Sequence, residues 1–329
     1  MISSRNFWKG KRVFVTGFEG FLGSHLTKEL ISYGAKITGL DIKTFRKETI
    51  LCRTDYKKII VCKGSVANRN LVRNILKKHR PGIIFHLAAE AIVSRGHKNP
   101  LNTFKSNITG TWELLEAARQ QAKVEAIVVA SSDKAYGSHK KLPYREDAPL
   151  IANHPYDVSK SCADLIAGTY SHTYNLPIAI TRCGNIYGPG DFNFSRLVPD
   201  VMKSLFLNKR LKIRSDGNFV RDYVYIDDIV AGYIRIAELL QKRKLSGEVF
   251  NLSDEKPLTV IKLLREIEKI NFSKSKLRYE IMNTAKYEIK EQYLSSAKAR
   301  RILGWMPVSS LADGLKKTVK WYMEYFAKQ

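Results

Sequence analysis

A tyrosine and a lysine four residues apart are the first residues in this chain whose spacing could do chemistry. Tyr156 and Lys160 lie one helical turn apart in a stretch with helical periodicity, so both side chains face the same side of a helix. A tyrosine hydroxyl has an ordinary pKa of about 10 and is a poor base at neutral pH. A neighbouring ammonium group stabilises the phenolate and lowers that pKa. The pair is therefore predicted to accept a proton in catalysis.

A second polar group lies upstream of this pair. Residues 126–131 form an apolar run typical of a buried strand, and Ser132, Asp133 and Lys134 follow it directly. An acid and an amine in consecutive positions can supply a general acid and a general base. The alternative interpretation is a solvated charge pair at the end of a strand.

Three glycines with Gly-x-x-Gly-x-x-Gly spacing stand between a predicted strand and a predicted helix. Gly17, Gly20 and Gly23 let the backbone approach a pyrophosphate closely, and the N-terminus of the following helix offers N–H groups to it. Asp41 ends the next strand, where an acid can bond both hydroxyls of a ribose and repels a 2′-phosphate. NAD is therefore favoured over NADP. A tight turn that binds nothing is the alternative.

The elements that must position these residues alternate between strand and helix in the first half of the chain. Strands are predicted at residues 12–16, 35–41, 83–89, 126–131 and 177–182, and helices at 23–33, 68–79, 101–122 and 156–174. Such alternation implies a parallel sheet with helices on both faces. The predicted fold is α/β, a Rossmann-type doubly wound parallel sheet.

The second half of the chain has a looser pattern. Helices are predicted at residues 227–241, 257–270 and 311–326, and a strand at 249–252. We expect an NAD-binding domain over residues 1–184, to which residues 227–252 return. Residues 185–329 are then mainly a smaller, mixed α/β substrate-binding lobe.

Composition excludes several classes of protein. The formal net charge is +25, but the basic residues are scattered in short runs, so a lysine-rich surface is favoured and no specific nucleic-acid partner is predicted. The 4 cysteines form no Cys-x-x-Cys pair, so no metal site is predicted. No apolar run approaches the roughly 18–20 residues that span a bilayer, and the first residues contain no apolar signal core. We expect a cytoplasmic protein without a membrane partner.

The motifs together resemble the extended short-chain dehydrogenase/reductases, in the group of NAD-dependent sugar epimerases and dehydratases. The resemblance covers most of the chain and lies in residues 15–23, in His86-Leu87-Ala88-Ala89, in the Asn-x-x-Gly-Thr motif that begins at Asn107, and in residues 221–228 and 303–307. It implies NAD as the cofactor and a nucleotide-diphosphate sugar as the substrate.

The resemblance also implies which residues bind the cofactor. They are Gly17, Gly20, Phe21, Leu22, Gly23, Asp41, Ser65, Val66, Leu87, Ala88, Ala89, Asn107, which looks like a helix-capping asparagine, Ser131, Tyr156 and Lys160. One position departs from the family pattern. The family often has an aspartate after the third strand, on the adenine amine, where this chain has Ser65. A serine hydroxyl can still accept or donate a hydrogen bond there.

By resemblance, Ser132, Tyr156 and Lys160 are the catalytic centre, in which Tyr156 takes the proton of a sugar hydroxyl and NAD takes the hydride. Asp133-Lys134 resembles the CDP-glucose 4,6-dehydratases and one class of UDP-N-acetylglucosamine dehydratases. The similarity implies a 4,6-dehydratase, in which Lys134 removes the proton on carbon 5, Asp133 protonates the leaving hydroxyl on carbon 6, and the hydride returns to carbon 6. Lys134 would have to be partly neutral, which burial can achieve.

Residues expected to bind the substrate lie further along the chain. Asn185 is expected to bond the sugar diphosphate, and Arg196, Arg214 and Arg221 are candidate pyrophosphate clamps, since a planar guanidinium suits phosphate oxygens. Residues 191–199 are more similar to the CDP-glucose dehydratases, whereas residues 221–223 agree with the wider family. The nucleotide therefore stays open.

Two other functions compete with the dehydratase. A nucleotide-sugar 4-epimerase shares the first oxidation but returns the hydride to carbon 4. A non-catalytic dinucleotide sensor on the same fold is disfavoured because both Tyr156 and Lys160 are present. The resemblance further implies a homodimer through the helices at 101–122 and 156–174, although packing within one subunit explains their apolar stripes nearly as well.

Overall fold

The structure is a computed structural model that describes residues 4–121, 123–270, 276–285 and 288–328. Its strands are β1 Arg12–Thr16, β2 Lys36–Asp41, β3 Ile59–Lys63, β4 Ile83–His86, β5 Ala126–Ala130, β6 Ile178–Cys183, β7 Asn185–Tyr187, β8 Leu211–Ile213, β9 Val220–Arg221, β10 Tyr223–Tyr225, β11 Val249–Leu252, β12 Leu258–Thr259, β13 Tyr279–Ile281 and β14 Glu291–Gln292. Its helices are α1 Ser4–Trp8, α2 Phe21–Ser32, α3 Arg53–Tyr56, α4 Arg69–His79, α5 Val93–Lys98, α6 Pro100–Phe104, α7 Gly110–Arg119, α8 Pro155–Tyr174, α9 Leu197–Phe206, α10 Ile226–Leu239, α11 Val260–Ile270, α12 Ala297–Leu303 and α13 Leu311–Phe326. A π-helical turn, Lys105–Thr109, joins α6 to α7, and a 3₁₀ turn, Asp133–Tyr136, follows β5.

One parallel sheet organises the molecule. Within the described residues, seven strands pair in the order β11-β6-β5-β4-β1-β2-β3. On β1, Val13 pairs with Ile37 of β2 on one side and with Ile83 of β4 on the other. The strand order reverses at this point, so the carboxyl ends of β1 and β4 flank a crevice. The predicted Rossmann-type α/β fold is confirmed.

Apolar layers cover both faces of the sheet. Leu26 of α2 and Ile229 of α10 belong to the layer on one face, and Val72 of α4 and Leu114 of α7 belong to the layer on the other. Strands that are buried on both faces need apolar side chains at every position. This requirement explains the near-continuous apolar runs of β1, β4 and β5.

The smaller sheets lie in the second half of the chain. β10 pairs with β7, β9 pairs with β12 and β14, and β13 pairs with β8. β11 instead joins the edge of the main sheet, where Val249 pairs with Ile180. The second half therefore supplies the small sheets and also one edge strand of the main sheet.

The strand predicted at residues 83–89 is too long. β4 ends at His86, and the next residues leave the sheet because Leu87 N and Ala88 N donate to the hydroxyl of Thr16, at 3.2 and 3.1 Å. An apolar run does not distinguish a strand from an apolar turn that lines a crevice.

The helix predicted at residues 101–122 is interrupted. It consists of α6, the π-helical turn and α7, which ends at Arg119, and Ala122 lies outside the described residues. Asn107 lies within the π-helical turn, so it is not the helix cap that the sequence suggested. Its side chain accepts from Glu90 N at 2.7 Å and donates to the hydroxyl of Ser159 at 2.8 Å. A π-helical turn re-aims a side chain in this way without ending the helix.

The surface has apolar side chains along α6, α7 and α8. Leu101, Trp112 and Leu165 are exposed there. The homodimer stays a prediction. Among the helices in the described part of the chain, none has the length and apolarity needed to cross a membrane.

A buried ion pair joins α8 to β6, and its removal is expected to destabilise the fold. Asp164 accepts two hydrogen bonds from the Arg182 guanidinium, both at 2.8 Å, and each side chain is 5% exposed. Asp164→Asn leaves a buried cation without its counter-charge, so the free energy of unfolding should fall by about 3–5 kcal/mol in urea titrations.

Glu266→Gln is the matched control, because Glu266 pairs with Lys269 on an exposed face of α11. That variant should change the free energy of unfolding by less than ~1 kcal/mol. Equal effects of the two substitutions would contradict a structural role for the buried pair.

Candidate active site

The glycine-rich turn after β1 leaves no space for side chains. Gly17 has φ +71°, and a Cβ atom there would lie 2.9 Å from Ala88 N. A Cβ atom at Gly23 would lie 2.0 Å from the carbonyl oxygen of Gly17. α2 then begins at Phe21 after an extended Gly20, and the N–H groups of its first turn point outward, as an anion requires.

Asp41 lies beside this turn at the end of β2 and is 7% exposed. Its carboxylate accepts from the Arg46 guanidinium at 2.5 Å and from Glu19 N at 3.3 Å. The Glu19 carboxylate, inside the glycine-rich turn, accepts from Phe45 N and Arg46 N at 2.7 and 2.8 Å. Sequence reasoning missed Glu19 and Arg46, although an acid within a glycine-rich turn was a signal.

The turns after β3 and β4 complete this side of the crevice. The hydroxyl of Ser65 accepts from Ala67 N at 3.2 Å, and Val66 is buried against the position of Gly110. The segment from Leu87 to Ala89 faces the glycine-rich turn through the close approach of Ala88 to Gly17.

Tyr156 and Lys160 project from the first two turns of α8. Burial raises the pKa of Tyr156 to about 12, and a hydrogen bond with Ser132 and the charge of Arg196 oppose this shift. Burial lowers the pKa of Lys160 to about 8. The Lys160 ammonium donates to Ala130 O at 2.8 Å, and the Ser131 hydroxyl donates to Lys160 O at 3.5 Å. The end of β5 therefore positions Lys160, and Ser132, two residues further on, is the hydrogen-bond partner of Tyr156.

Asp133 and Lys134 lie in the 3₁₀ turn that follows β5. Asp133 is 4% exposed and accepts from the hydroxyl of Ser132 at 3.0 Å. Lys134 Nζ donates to Gln292 Oε1 at 2.5 Å, and Gln292 Nε2 donates to Asp133 O at 2.7 Å. Burial, and the charge of Arg221, lower the pKa of Lys134. Both residues line a cavity and are not a solvated pair.

A cavity of about 450 Å³ brings the predicted residues together. Its walls include Ser131, Ser132, Asp133, Lys134, Tyr156, Asn185, Arg196, Arg214 and Arg221. Groups that are up to 90 residues apart in the chain thus share one space, in which residues of the second half of the chain meet the turn that follows β5. In the described part of the chain, no group of His, Cys, Asp and Glu side chains is arranged to hold a metal ion.

The three arginines differ in how they are held. Arg196 pairs with Asp191 at 3.2 Å, and Arg214 pairs with Glu288 at 3.6 Å. Arg221 is 9% exposed and donates to the carbonyl oxygens of Val220, Ile289 and Lys290. The Arg221 guanidinium therefore binds backbone carbonyl groups, whereas the guanidinium N–H groups of Arg196 and Arg214 are partly exposed.

Two further buried acids near Asp133 were missed by sequence reasoning. Asp157 lines the cavity, and burial raises its pKa to about 6. Asp222 accepts from the hydroxyl of Ser253 and from Leu294 N, and burial raises its pKa to about 7. Only the folded arrangement identifies them, since neither lies at a spacing that predicts chemistry.

The comparisons with known proteins agree with this geometry. The model of the NAD dependent epimerase/dehydratase family matches residues 13–253. The chain belongs to this family. Its cofactor is NAD, as the sequence predicted, and the cradle at Gly17 and Gly23 together with the acid at Asp41 fits that group. The family consists of NAD-dependent nucleotide-sugar dehydratases and epimerases.

Dehydratases and epimerases of this family are similar to this chain at nearly the same sequence identity. A CDP-glucose 4,6-dehydratase of Salmonella typhimurium is 32% identical, over 97% of this chain and 92% of its own length. A UDP-glucuronate 4-epimerase of Thermodesulfobacterium geofontis is 31% identical, over 94% and 95%. The crystal structure of DesIV, a dTDP-glucose 4,6-dehydratase of Streptomyces venezuelae with NAD bound, aligns with a TM-score of 0.85 at 30% identity, over 96% of this chain and 98% of that one.

Substitution of a cradle glycine is expected to weaken NAD binding. Gly23→Ala forces the new Cβ atom onto the carbonyl of Gly17, so the turn must move. We expect the Kd for NAD, measured by calorimetry on nucleotide-free protein, to rise on the order of tenfold or more, which corresponds to ~1.4 kcal/mol or more of lost binding energy.

Gly168→Ala is the control, because a Cβ atom at that position of α8 has no neighbour within 4 Å. Its Kd for NAD should match that of the parent protein. An unchanged Kd for Gly23→Ala would show that the turn does not approach the cofactor.

Proposed function

We propose that this chain is an NAD-dependent nucleotide-sugar 4,6-dehydratase. The observation that carries the proposal is the position of Asp133 and Lys134 on the wall of the cavity that also contains Tyr156. An elimination of water after oxidation needs one base and one acid next to the oxidised sugar. A consecutive acid and amine, both held by Gln292, supply this pair.

NAD, when bound, accepts electrons from carbon 4 of the sugar and returns them at the end of the turnover. We assign its pyrophosphate to the turn at Gly17, Gly20 and Gly23 with Phe21 and Leu22 of α2, and one ribose to Asp41. The remaining assigned cofactor contacts are Ser65, Val66, Leu87, Ala88, Ala89, Asn107, Ser131, Tyr156 and Lys160.

Tyr156 is assigned as the base that takes the proton of the sugar hydroxyl. Because burial holds its pKa near 12, the side chain needs positive charge nearby before it can release its own proton at neutral pH. Lys160 can supply that charge, since a pKa of about 8 leaves it mostly protonated at pH 7. The Ser132 hydroxyl is assigned to stabilise the phenolate, for which its one proton turns from Asp133 to Tyr156.

Lys134 and Asp133 are assigned to the elimination. Once carbon 4 is a ketone, the C5–H bond breaks and Lys134 takes the proton. The C6–O bond breaks, and Asp133, which has to be protonated before this step, gives its proton to the leaving hydroxyl and becomes a carboxylate. One water leaves, and a C5–C6 double bond forms. Lys134 has to be a free amine at the start, and the lowered pKa caused by burial and by Arg221 favours that form.

The diphosphate of the substrate is assigned to Asn185, Arg196 and Arg214, with Arg221 on the same cavity wall contributing charge. Arg196 and Arg214 have partly exposed guanidinium groups that can turn toward phosphate oxygens. The CDP-glucose dehydratase of Salmonella typhimurium makes CDP-glucose the first substrate to test.

A nucleotide-sugar 4-epimerase is the second candidate. The Thermodesulfobacterium epimerase is nearly as similar as the dehydratase, and an epimerase would use the same Ser132, Tyr156 and Lys160. It would have no use for an acid and a base at carbons 5 and 6, which is why Asp133 and Lys134 favour the dehydratase.

A mass-spectrometric screen tests the proposal. Purified protein is incubated with CDP-, UDP-, GDP- and dTDP-hexoses without added reductant. We expect a product lighter by one water from one nucleotide series. A new chromatographic peak of unchanged mass would instead support the epimerase, and no conversion of any sugar would contradict both functions.

Substitution of the proposed base should abolish the loss of water. Lys134→Met keeps most of the side-chain volume but removes the amine, so the rate of water loss should fall on the order of 10²–10⁴-fold while NAD binding is retained. Lys140→Met, at an exposed lysine, is the matched control and should keep the parent rate. An unchanged rate for Lys134→Met would exclude Lys134 as the base.

A further inference from the structure

Asp157 is a buried carboxylate that the proposed elimination does not yet use. It lies in the first turn of α8, next to Tyr156, and is 5% exposed. It lines the cavity together with Asp133 and Lys134. Its Oδ1 atom has no hydrogen-bond partner among the described residues. Burying a carboxylate oxygen without a hydrogen bond costs folding free energy. We therefore looked for a function of Asp157 among the groups that line the cavity.

The charges that face Asp157 come from the 3₁₀ turn. Lys134 attracts the carboxylate and opposes the upward shift of its pKa, whereas Asp133 repels it and adds to that shift. Burial still raises the Asp157 pKa to about 6, so the group is ionised at neutral pH and becomes protonated in mild acid. Tyr156, on the same helix, is the other titratable group that responds to Asp157.

The charges that face Lys134 come from four elements. Arg221 of β9 lowers the pKa of the amine, and burial acts in the same direction. Asp133 of its own turn, Asp157 of α8 and Glu288, which precedes β14, raise it. Asp157 and Asp133 are both buried, both line the cavity and both keep a carboxylate oxygen without a hydrogen-bond partner among the described residues. Asp133 already has a role in the proposed elimination, whereas Asp157 has none.

We propose that Asp157 is a positioning residue that completes an acid–base cluster with Asp133 and Lys134 and sets the charge state of the Lys134 amine. The catalytic meaning of this cluster rests on the proposed dehydratase function. An ionised Asp157 stabilises the Lys134 ammonium, which is the form that exists after the proton on carbon 5 has been taken. The proton transfer then ends in an ion pair and not in an isolated buried cation, so Lys134 is a stronger base than burial beside Arg221 alone would allow.

The sign of the effect follows from this arrangement. When Asp157 loses its charge, by protonation or by substitution, the Lys134 ammonium loses a stabilising partner and the pKa of the amine falls. More Lys134 is then a free amine at neutral pH, but each free amine is a weaker base. Asp157→Asn should therefore move the acidic limb of the pH–rate profile of water loss to lower pH and reduce the plateau rate.

The charge state of Lys134 is measured without turnover by competitive acetylation of the NAD-bound protein over a range of pH. Peptide mass spectrometry reports the fraction of Lys134 modified. We expect several-fold faster modification of Lys134 in Asp157→Asn at neutral pH, and the parent rate in Asp157→Glu, which restores the charge. Asp147→Asn, the same change at an exposed residue, should keep the parent rate. Equal modification of Lys134 in Asp157→Asn and in the parent protein would overturn the proposal.

A second measurement covers the case in which Asp157→Asn does not fold. Because the coupling of two groups is reciprocal, Lys134→Met should raise the pKa of Asp157, read from the carboxyl ¹³C resonance of aspartate-labelled protein. An unchanged Asp157 titration in Lys134→Met would also overturn the proposal. If Lys134 and Asp157 are coupled but no sugar loses water, the coupling stands and the dehydratase function alone fails.

Discussion

The site depends on the close approach of two backbone segments at the centre of the sheet. β1 and β4 are neighbours, and the turns that follow them meet where a Cβ atom on Gly17 would collide with Ala88 N. Thr16 fixes that approach, because its hydroxyl accepts from the N–H groups of Leu87 and Ala88. The glycine-rich turn, the start of α2 and the segment after β4 are therefore one packed unit, and a dinucleotide site follows from the topology of the sheet.

The same edge of the sheet carries the proposed acid–base groups, and burial shifts their pKa values. Tyr156, Lys160 and Lys134 all have pKa values displaced in the direction that favours the neutral form. In a cavity that is partly shielded from water, a single neighbouring charge shifts a pKa by more than it does in bulk water. The protonation state of each group is therefore set by its neighbours, among which Arg221 acts on Lys134 and Arg196 acts on Tyr156.

Most of the fold could be predicted from local patterns, whereas part of the site could not. The strand at Arg12–Thr16 and the helix at Leu311–Phe326 were predicted with the bounds that the structure shows, because periodicity and terminal residues are local signals. The hydrogen bond from Lys134 to Gln292 spans 158 residues, and no spacing rule indicates it. The π-helical turn at Asn107 could not be predicted either, because its sequence continues the helical pattern of its neighbours. The turn is explained only by the hydrogen bonds of Asn107 with Glu90 and Ser159.

Gln292 shows how the second half of the chain enters the chemistry. It lies on β14, which pairs with β9, and Arg221 of β9 holds the carbonyl oxygens of Ile289 and Lys290. The amide of Gln292 then bonds both the amine of Lys134 and the backbone of Asp133, which lie in the 3₁₀ turn that follows β5 of the main sheet. Asp133 and Lys134 therefore have these hydrogen bonds only while the sheet of β12, β9 and β14 packs against the turn that follows β5. The position of Lys134, the proposed carbon-5 base, therefore depends on a residue of the second half of the chain, whereas Lys160 is held by Ala130 at the end of β5. In the proposed dehydratase, the residues assigned to oxidation and those assigned to elimination are therefore positioned by different parts of the molecule, an arrangement that would let related enzymes share the first step and differ in the second.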